Sequence, residues 1–594
     1  MPEQVVGTVV GVTNPREFYF AVTPGAVQLQ DLVCVDMRPD KLNDSVVEAE
    51  QPIRVWAKVA DIERINPLFP EEAAQELSTQ RLSAFDTVIS LSREMITAKC
   101  AILGKEEQRG ENVELRPLAY PLQPASSVYL GDPKTVEKLL IGDVPQYRRL
   151  KIGHLRGRPE FPAYIDAHAL VARHLAVMAA TGAGKTVTVR KLLEELVLNT
   201  HYPILIFDPH SDYIGLEELP KLKDRVCIYF PALHLSGEDL ENIIALVRDL
   251  SEESLTSPQE SLLKGVTELV RDNWSETNGY WWDEQRQQWT QNQNKSGWKK
   301  DGVVYKLICP RARRKYCLNF ASHHFYCLQE ILDTFDFLRQ VQTEEGKKKW
   351  AEIEKQLKDL GRNDILGQLS SSYRPVTRQL SRAGHAYSQI RKMNQARLKG
   401  IVETQPLPKP PNIHEVIQKG KVSIVSLEGY TTHATAIVAN LLRKLLDLRL
   451  EDQVPRFLTV VEEAHNFVPS TSETSVPSID ILRQVATEGR KYGMGLVLIS
   501  QRPSRLDSTV LSQCNSFIIL KIINPADQKY IRDVVESIGE DDAKLLPDLA
   551  TGEALITGEC VRFPILAQVE KPRSQGRHEE EDFIKDFKMP KQLM

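Results

Sequence analysis

The hydrophobic pattern divides the chain into three regimes. From the first residues to about 165, short β-branched and aromatic runs recur: Val5–Val12, Phe18–Val22, Leu32–Asp36 and Ile53–Val59, the last with polar residues at alternate positions. Asn14-Pro15 and Pro24-Gly25 separate them as turns. Closely spaced short strands of this kind predict a small barrel or sandwich. Over about 166–235 and again over 413–570 the pattern changes to continuous apolar runs alternating with helical faces. The runs are Leu175–Met178, Ile204–Phe207, Phe457–Val461, Leu496–Ser500, Phe517–Leu520, Glu553–Ile556 and Val561–Val569. Leu192, Leu193, Leu196 and Val197 give one helical face, and Ile479–Thr487 another. Apolar runs without alternation read as strands buried on both sides, the signature of an α/β sheet. The third regime, about 236–412, is polar and predicted largely helical, and it splits the α/β region in two. Trp350, Ile353, Leu357 and Leu360 there have the spacing of a packed helix face. A charged tail follows from 571, with Glu579–Asp582 ahead of Phe583, Ile584 and Phe587.

Composition changes this picture little. At 594 residues the chain needs more than one domain, and 42% hydrophobic with 26% charged residues is ordinary for a soluble protein. The formal net charge of −5 means that DNA binding would have to come from local basic patches. No apolar run approaches the roughly 20 residues that cross a membrane, and Met1-Pro2-Glu3-Gln4 does not open a signal peptide. The eight cysteines form no C-x-x-C pair. A cytoplasmic protein with free thiols and no membrane partner is the expectation.

The stretch with the most chemistry is Ala179-Ala180-Thr181-Gly182-Ala183-Gly184-Lys185-Thr186, which follows an apolar run and precedes a helical pattern. It has the form of a phosphate-binding loop, G-x-x-x-x-G-K-[ST], with Ala179 at the first glycine position. Small residues let backbone N–H groups turn onto phosphates, and the following helix presents its positive end. ATP is therefore the expected ligand, held by Ala180, Thr181, Gly182, Ala183, Gly184 and Lys185, with the Thr186 hydroxyl on Mg²⁺. Asp208, at the end of the next apolar run, joins this nucleotide set. His210 and Asp212 just beyond it lie near the γ-phosphate or cap the next helix, both readings being open. Downstream, the run Phe457–Val461 ends in Glu462 and Glu463. Glu462 would hold Mg²⁺ through water, and Glu463 would activate the attacking water. Gln501, after the run Leu496–Ser500, fits a γ-phosphate sensor. Arg490 is either an arginine finger or a surface charge.

The order and wording of these segments resemble HerA, the hexameric DNA translocase of the FtsK–HerA group. The resemblance rests on Arg173–Ala176, Ala179–Thr186, Phe207–His210, Val461–His465, Glu488–Gly493 and Ile499–Pro503. Pro209 and Ser211-Asp212 depart from the Asp-x-His-Gly-Glu wording of the group. The resemblance implies a RecA-like P-loop core over 166–235 and 413–570. It also implies an N-terminal β-barrel over 1–165 for assembly or partner docking, and a helical insertion over 236–412. It makes Glu463 the catalytic base, Arg490 a finger acting on a neighbouring subunit's nucleotide, and Arg173 a nucleotide-site arginine. The partners implied are the chain itself as a homo-hexamer, duplex DNA, and a nuclease of the NurA type in DNA end processing. The alternative is an ATPase scaffold that regulates a nuclease or sirtuin-type effector in anti-phage defence. A tail from 571 that straps onto a neighbouring subunit would also suit this group.

The insertion carries its own candidates. Trp274, Trp281, Trp282, Trp289 and Trp298 would fill a helical bundle or, if exposed, form a partner surface, with the bundle preferred. Cys309, Cys317, His323, His324 and Cys327 lack the tight paired spacing of structural zinc sites. Arg374, Arg378, Arg382, Arg391, Lys392, Arg397 and Lys399 contact phosphates or pair with acidic helices of the insertion.

Overall fold

The computed structural model describes residues 4–37, 53–65, 95–109, 112–229, 240–251, 253–275, 278–283, 288–291, 297–300, 354–355, 357–359, 361–401, 413–430, 433–470 and 476–574. The described residues form two compact units. The first holds those up to Thr200 with Ser500–Ser504 and Cys514–Arg573, and the second those from His201 to Ile499 with Arg505–Gln513 and Ser574. The cysteines and histidines weighed for zinc, Trp350 and Ile353, and the acidic tail run lie outside the described residues.

The first unit opens with β1 (Val5–Val10), β2 (Glu17–Val22), β3 (Leu32–Met37), β4 (Ile53–Ile65), β5 (Met95–Arg109), β6 (Asn112–Arg116) and β7 (Ser127–Leu130). They pair in the order β2-β1-β7-β3-β4-β5-β6, and a further β2–β5 pairing closes six of them into a barrel. Alternation places one side chain in two inside. Phe18, Phe20 and Val22 of β2 are buried, as are Val33 and Val35 of β3 and Val55, Ala57 and Val59 of β4. Trp56 and Lys58, between the inward residues of β4, are buried too: the Trp56 indole donates to Glu106 at 3.0 Å, and Lys58 meets Asp542.

The barrel ends at Leu130. The helix Pro133–Ile141 follows, capped by the Asp132 carboxylate, and then the hairpin of β8 (Arg149–Leu155) and β9 (Arg158–Asp166). β8 pairs with a late strand of the chain, β22, and not with the barrel. Alternating apolar residues mark a strand but do not say which sheet it joins. β10 (Leu175–Met178) closes this stretch.

The second unit is built on β11 (Ile204–Asp208), β12 (Val226–Tyr229), β17 (Val422–Ser426), β18 (Phe457–Val461) and β19 (Met494–Ser500), all parallel in the order β12-β17-β11-β18-β19. Every residue of β11, β17 and β18 is buried, as continuous apolar runs require. The helices Ala434–Leu450 and Ile479–Tyr492 bury apolar faces, among them Leu442 and Leu445, and Leu482 and Val485.

The insertion is helical at Leu240–Ser251, Ser257–Asp272 and Asn363–Ile401, as expected, but its tryptophans are not on helices. Trp274 lies in β13 (Trp274–Ser275), Trp281 and Trp282 in β14 (Tyr280–Asp283), Trp289 in β15 (Gln288–Gln291) and Trp298 in β16 (Gly297–Trp298). These strands make a four-stranded antiparallel sheet in which Trp282 is opposite Trp289 and Trp274 opposite Trp298. The helical-bundle reading of these five residues is corrected accordingly. They lack a 3.6-residue repeat, and tryptophan favours pleated pairing. Of the basic segment, Arg378 and Arg382 both pair with Glu253 in the connection ahead of the second insertion helix, so these two side chains serve the insertion itself.

The chain returns to the first unit with β20 (Ser516–Ile519), β21 (Glu553–Gly558) and β22 (Ile565–Val569). They complete a sheet ordered β10-β20-β21-β22-β8-β9, in which β10–β20 is parallel and the rest antiparallel. Among the described residues no helix is long and apolar enough to cross a membrane.

Candidate functional site: a phosphate-binding loop and an acidic strand end

The first unit carries the phosphate-binding loop. β10 is buried throughout and delivers the chain to Ala179, whose N–H donates to the Ser500 carbonyl at 3.2 Å. The Ala180 N–H donates to the Lys521 carbonyl at 2.8 Å, and the Gly552 N–H to the Ala183 carbonyl at 3.1 Å. The loop is thus tied at both shoulders. Gly182 and Gly184 have φ of 77° and 95°, which side chains resist, and a Cβ on Gly184 would stand 3.3 Å from the Gly552 nitrogen. The helix Lys185–Asn199 begins directly after Gly184 without a side-chain cap. An uncapped helix start after a left-handed glycine fits a phosphate group, which supplies the acceptor that a capping side chain otherwise provides. Lys185 is buried and Thr186 half-buried at this start. The Thr181 hydroxyl donates to Gln501 Oε1 at 2.7 Å, so the sensor candidate touches the loop. Arg173 ends the helix Ala167–Arg173 and forms an ion pair with Glu559.

The second unit carries the acids. β11 and β18 are adjacent and parallel, with Phe207 opposite Val461, so the residues following them share one sheet edge. Glu462 is fully buried, its N–H donates to the Phe207 carbonyl at 3.2 Å, and its carboxylate accepts the Tyr213 hydroxyl. Burial, and the Glu462 carboxylate beside it, push the Tyr213 hydroxyl well above its ordinary pKa, so it stays a donor. Glu463 takes a left-handed conformation, φ 50°, and its Oε2 lies 3.3 Å from His465 Nδ1. Such a conformation costs a non-glycine residue energy and concentrates at functional sites.

Asp208, at the end of β11, caps the loop that follows it. It is fully buried, and its carboxylate accepts the backbone N–H groups of His210, Asp212 and Tyr213 at 3.2, 3.1 and 3.0 Å. Burial raises its pKa while these N–H donors act in the opposite direction. The carboxylate is turned inward and caps its own loop. His210 is exposed and Asp212 half-exposed on that loop. Arg490 is exposed in the last turn of Ile479–Tyr492, ahead of the left-handed Gly493, and makes no ion pair among the described residues. Among the described residues no cluster of three or more histidine, cysteine, aspartate or glutamate side chains could hold a metal. Mg²⁺ commonly binds through one or two protein oxygens and nucleotide phosphates, and the Thr186 hydroxyl and Glu462 carboxylate are oxygens of that kind.

Sequence reasoning missed Tyr213 and His465 as partners of the acids. His465 is two residues from Glu463 and was within reach of inspection, but Tyr213 and Glu462 are 249 positions apart.

A tied phosphate-binding loop at the end of a buried parallel strand, in a chain that also carries two acids after a buried strand, defines an ATPase of the P-loop class. Two family models place it further. That of the helicase HerA central domain matches residues 150–302, and that of the helicase HerA-like C-terminal domain matches 415–568. Together they take in just over half of the chain, which belongs to the HerA family. The chain is 24% identical to the DNA double-strand break repair helicase HerA of Pyrococcus furiosus, over 96% of this chain and 92% of that one. It is likewise 24% identical to the protein of that name from Saccharolobus solfataricus, over 95% and 94%. Against the Sulfolobus acidocaldarius protein identity is 36%, over 30% of this chain and 37% of that one.

Proposed function

We propose that the chain is an ATP-driven translocase and helicase of duplex DNA, working as a homo-hexamer with a partner nuclease in DNA end processing. The observation that carries this reading is near full-length similarity to double-strand break repair helicases, joined to a phosphate-binding loop tied at both shoulders.

The roles follow from residue chemistry. Backbone N–H groups of Thr181–Lys185 and the Lys185 ammonium bind the phosphates. Mg²⁺, when bound, neutralises the charge that develops on the transferred phosphoryl group. Thr186 and Glu462 are the oxygens assigned to it. Glu463 takes the proton of the attacking water, from a turned backbone and with His465 Nδ1 3.3 Å from its carboxylate. Gln501, hydrogen-bonded to Thr181, senses whether the γ-phosphate is present. Arg490, exposed at a helix end, reaches the nucleotide of a neighbouring subunit, and Arg173 supports the nucleotide site from its ion pair with Glu559.

Displacement of a third strand from a duplex is the direct test. The purified chain with ATP and Mg²⁺ is expected to release it, and Lys185→Ala is not. Hydrolysis without displacement, with and without a nuclease partner, would rule out the motor.

A further inference from the structure

The loop from Asp208 to Tyr213 is braced far more firmly than a connection needs. Asp208 takes three of its backbone N–H groups. Ser211 is buried in a left-handed conformation, φ 62°, and its hydroxyl donates to Glu428 Oε2 at 2.7 Å and lies 3.1 Å from the Ser426 hydroxyl. A non-glycine residue held there is strained, and persists only where its surroundings over-determine it. The result of all this bracing is the placement of one group: the Tyr213 ring, fully buried, with its hydroxyl on Glu462. A phenylalanine would fill the same space without requiring a carboxylate to face it.

We propose that Tyr213 is the positioning residue of the acidic strand end, its hydroxyl fixing the Glu462 carboxylate in the orientation that engages Mg²⁺·nucleotide. The loop Asp208–Tyr213 is the template that holds the ring in place. This rests on the assignment of Glu462 to Mg²⁺. A side chain that acts only through a ligand shifts the affinity of that ligand's ion, and substitutions of such groups commonly cost about 10- to 100-fold in metal affinity or activity.

The test uses the full chain and a fluorescent ADP analogue, titrated with and without Mg²⁺, beside steady-state ATP turnover. Tyr213→Phe is expected to bind the analogue normally without Mg²⁺ and to lose about tenfold of the tightening that Mg²⁺ brings. Its kcat falls about tenfold with KM for ATP little changed. Glu462→Gln is the reference and loses the same tightening. If Glu462→Gln loses it and Tyr213→Phe keeps both tightening and kcat, the positioning role is overturned while the Glu462 assignment stands. If Glu462→Gln keeps it, the assignment itself fails, and the role of Tyr213 with it. Should Tyr213→Phe not fold, Ser211→Ala decides: it keeps the Tyr213 side chain but removes the tie to Glu428 that steadies its loop, and is expected to give the same loss in smaller measure. Unchanged Mg²⁺ dependence in Ser211→Ala would then overturn the proposal.

Discussion

Lys58 offers a prediction whose size can be worked from the structure. Its ammonium lies 2.8 and 2.9 Å from the two carboxylate oxygens of Asp542, and the two side chains are only 8% and 9% exposed. The pair joins barrel strand β4 to the short helix Glu540–Lys544 within the first unit. Replacing Lys58 with methionine keeps much of the volume but leaves the Asp542 carboxylate buried opposite an apolar side chain. Gln30 Nε2 also donates to it, but from 3.4 Å. Removing one partner of a buried pair costs about 3–5 kcal/mol, whereas replacing both with apolar residues is often neutral or better. Lys58→Met is therefore expected to weaken the attachment of this helix by about 3 kcal/mol or more, and Lys58→Met with Asp542→Leu to restore most of it. A global melting temperature is a poor readout for a chain of several domains. Hydrogen exchange of the peptides covering β4 and Glu540–Lys544 reads the local opening directly, and about 3 kcal/mol corresponds to acceleration of about 100-fold. If the single and double variants exchange alike, the pair carries no coupling energy and the reasoning is refuted.

Three further substitutions address the chemistry. Lys185→Ala is expected to reduce nucleotide affinity below detection in equilibrium binding, since a buried ammonium at an uncapped helix start is removed, and normal turnover would contradict the loop assignment. Glu463→Gln is expected to bind ATP normally and lower kcat by about 100-fold or more, the scale of a positioned general base; retained hydrolysis would move the base elsewhere. Arg490→Ala is expected to leave assembly and nucleotide binding intact while turnover falls about 1000-fold, the lower end for a trans-acting arginine. Full turnover in that variant would make Arg490 a surface charge.

What was legible in the sequence is what is local. Strands β1 to β3 and the start of β4 can be read because alternation and turn residues are written within a few positions of each other. The buried strands of both units can be read because a strand covered on two faces has no polar side to interrupt it. The phosphate-binding loop lies in eight consecutive residues, and the structure adds what ties it down: the carbonyls of Ser500 and Lys521, the Gly552 N–H and Gln501. What was not legible depends on partners set by topology. The hairpin β8–β9 announces two strands but not that β22 is its neighbour. The three N–H groups that the Asp208 carboxylate accepts come from the turn of its own loop, which the run before it does not announce. The Tyr213–Glu462 and Arg173–Glu559 pairs join positions 249 and 386 residues apart, where no periodicity reaches. The tryptophans of the insertion failed for another reason: they have too little pattern to choose between helix and strand, and cross-strand pairing decides it.

The proposed function requires that ATP turnover by this chain drives movement on duplex DNA. Steady-state ATPase activity of the purified protein, measured with and without linear duplex DNA, tests it most directly. The account predicts strong stimulation by DNA that is absent in Glu463→Gln. Turnover indifferent to DNA at every length and concentration would contradict it, and would favour a scaffold whose ATP cycle regulates a partner enzyme.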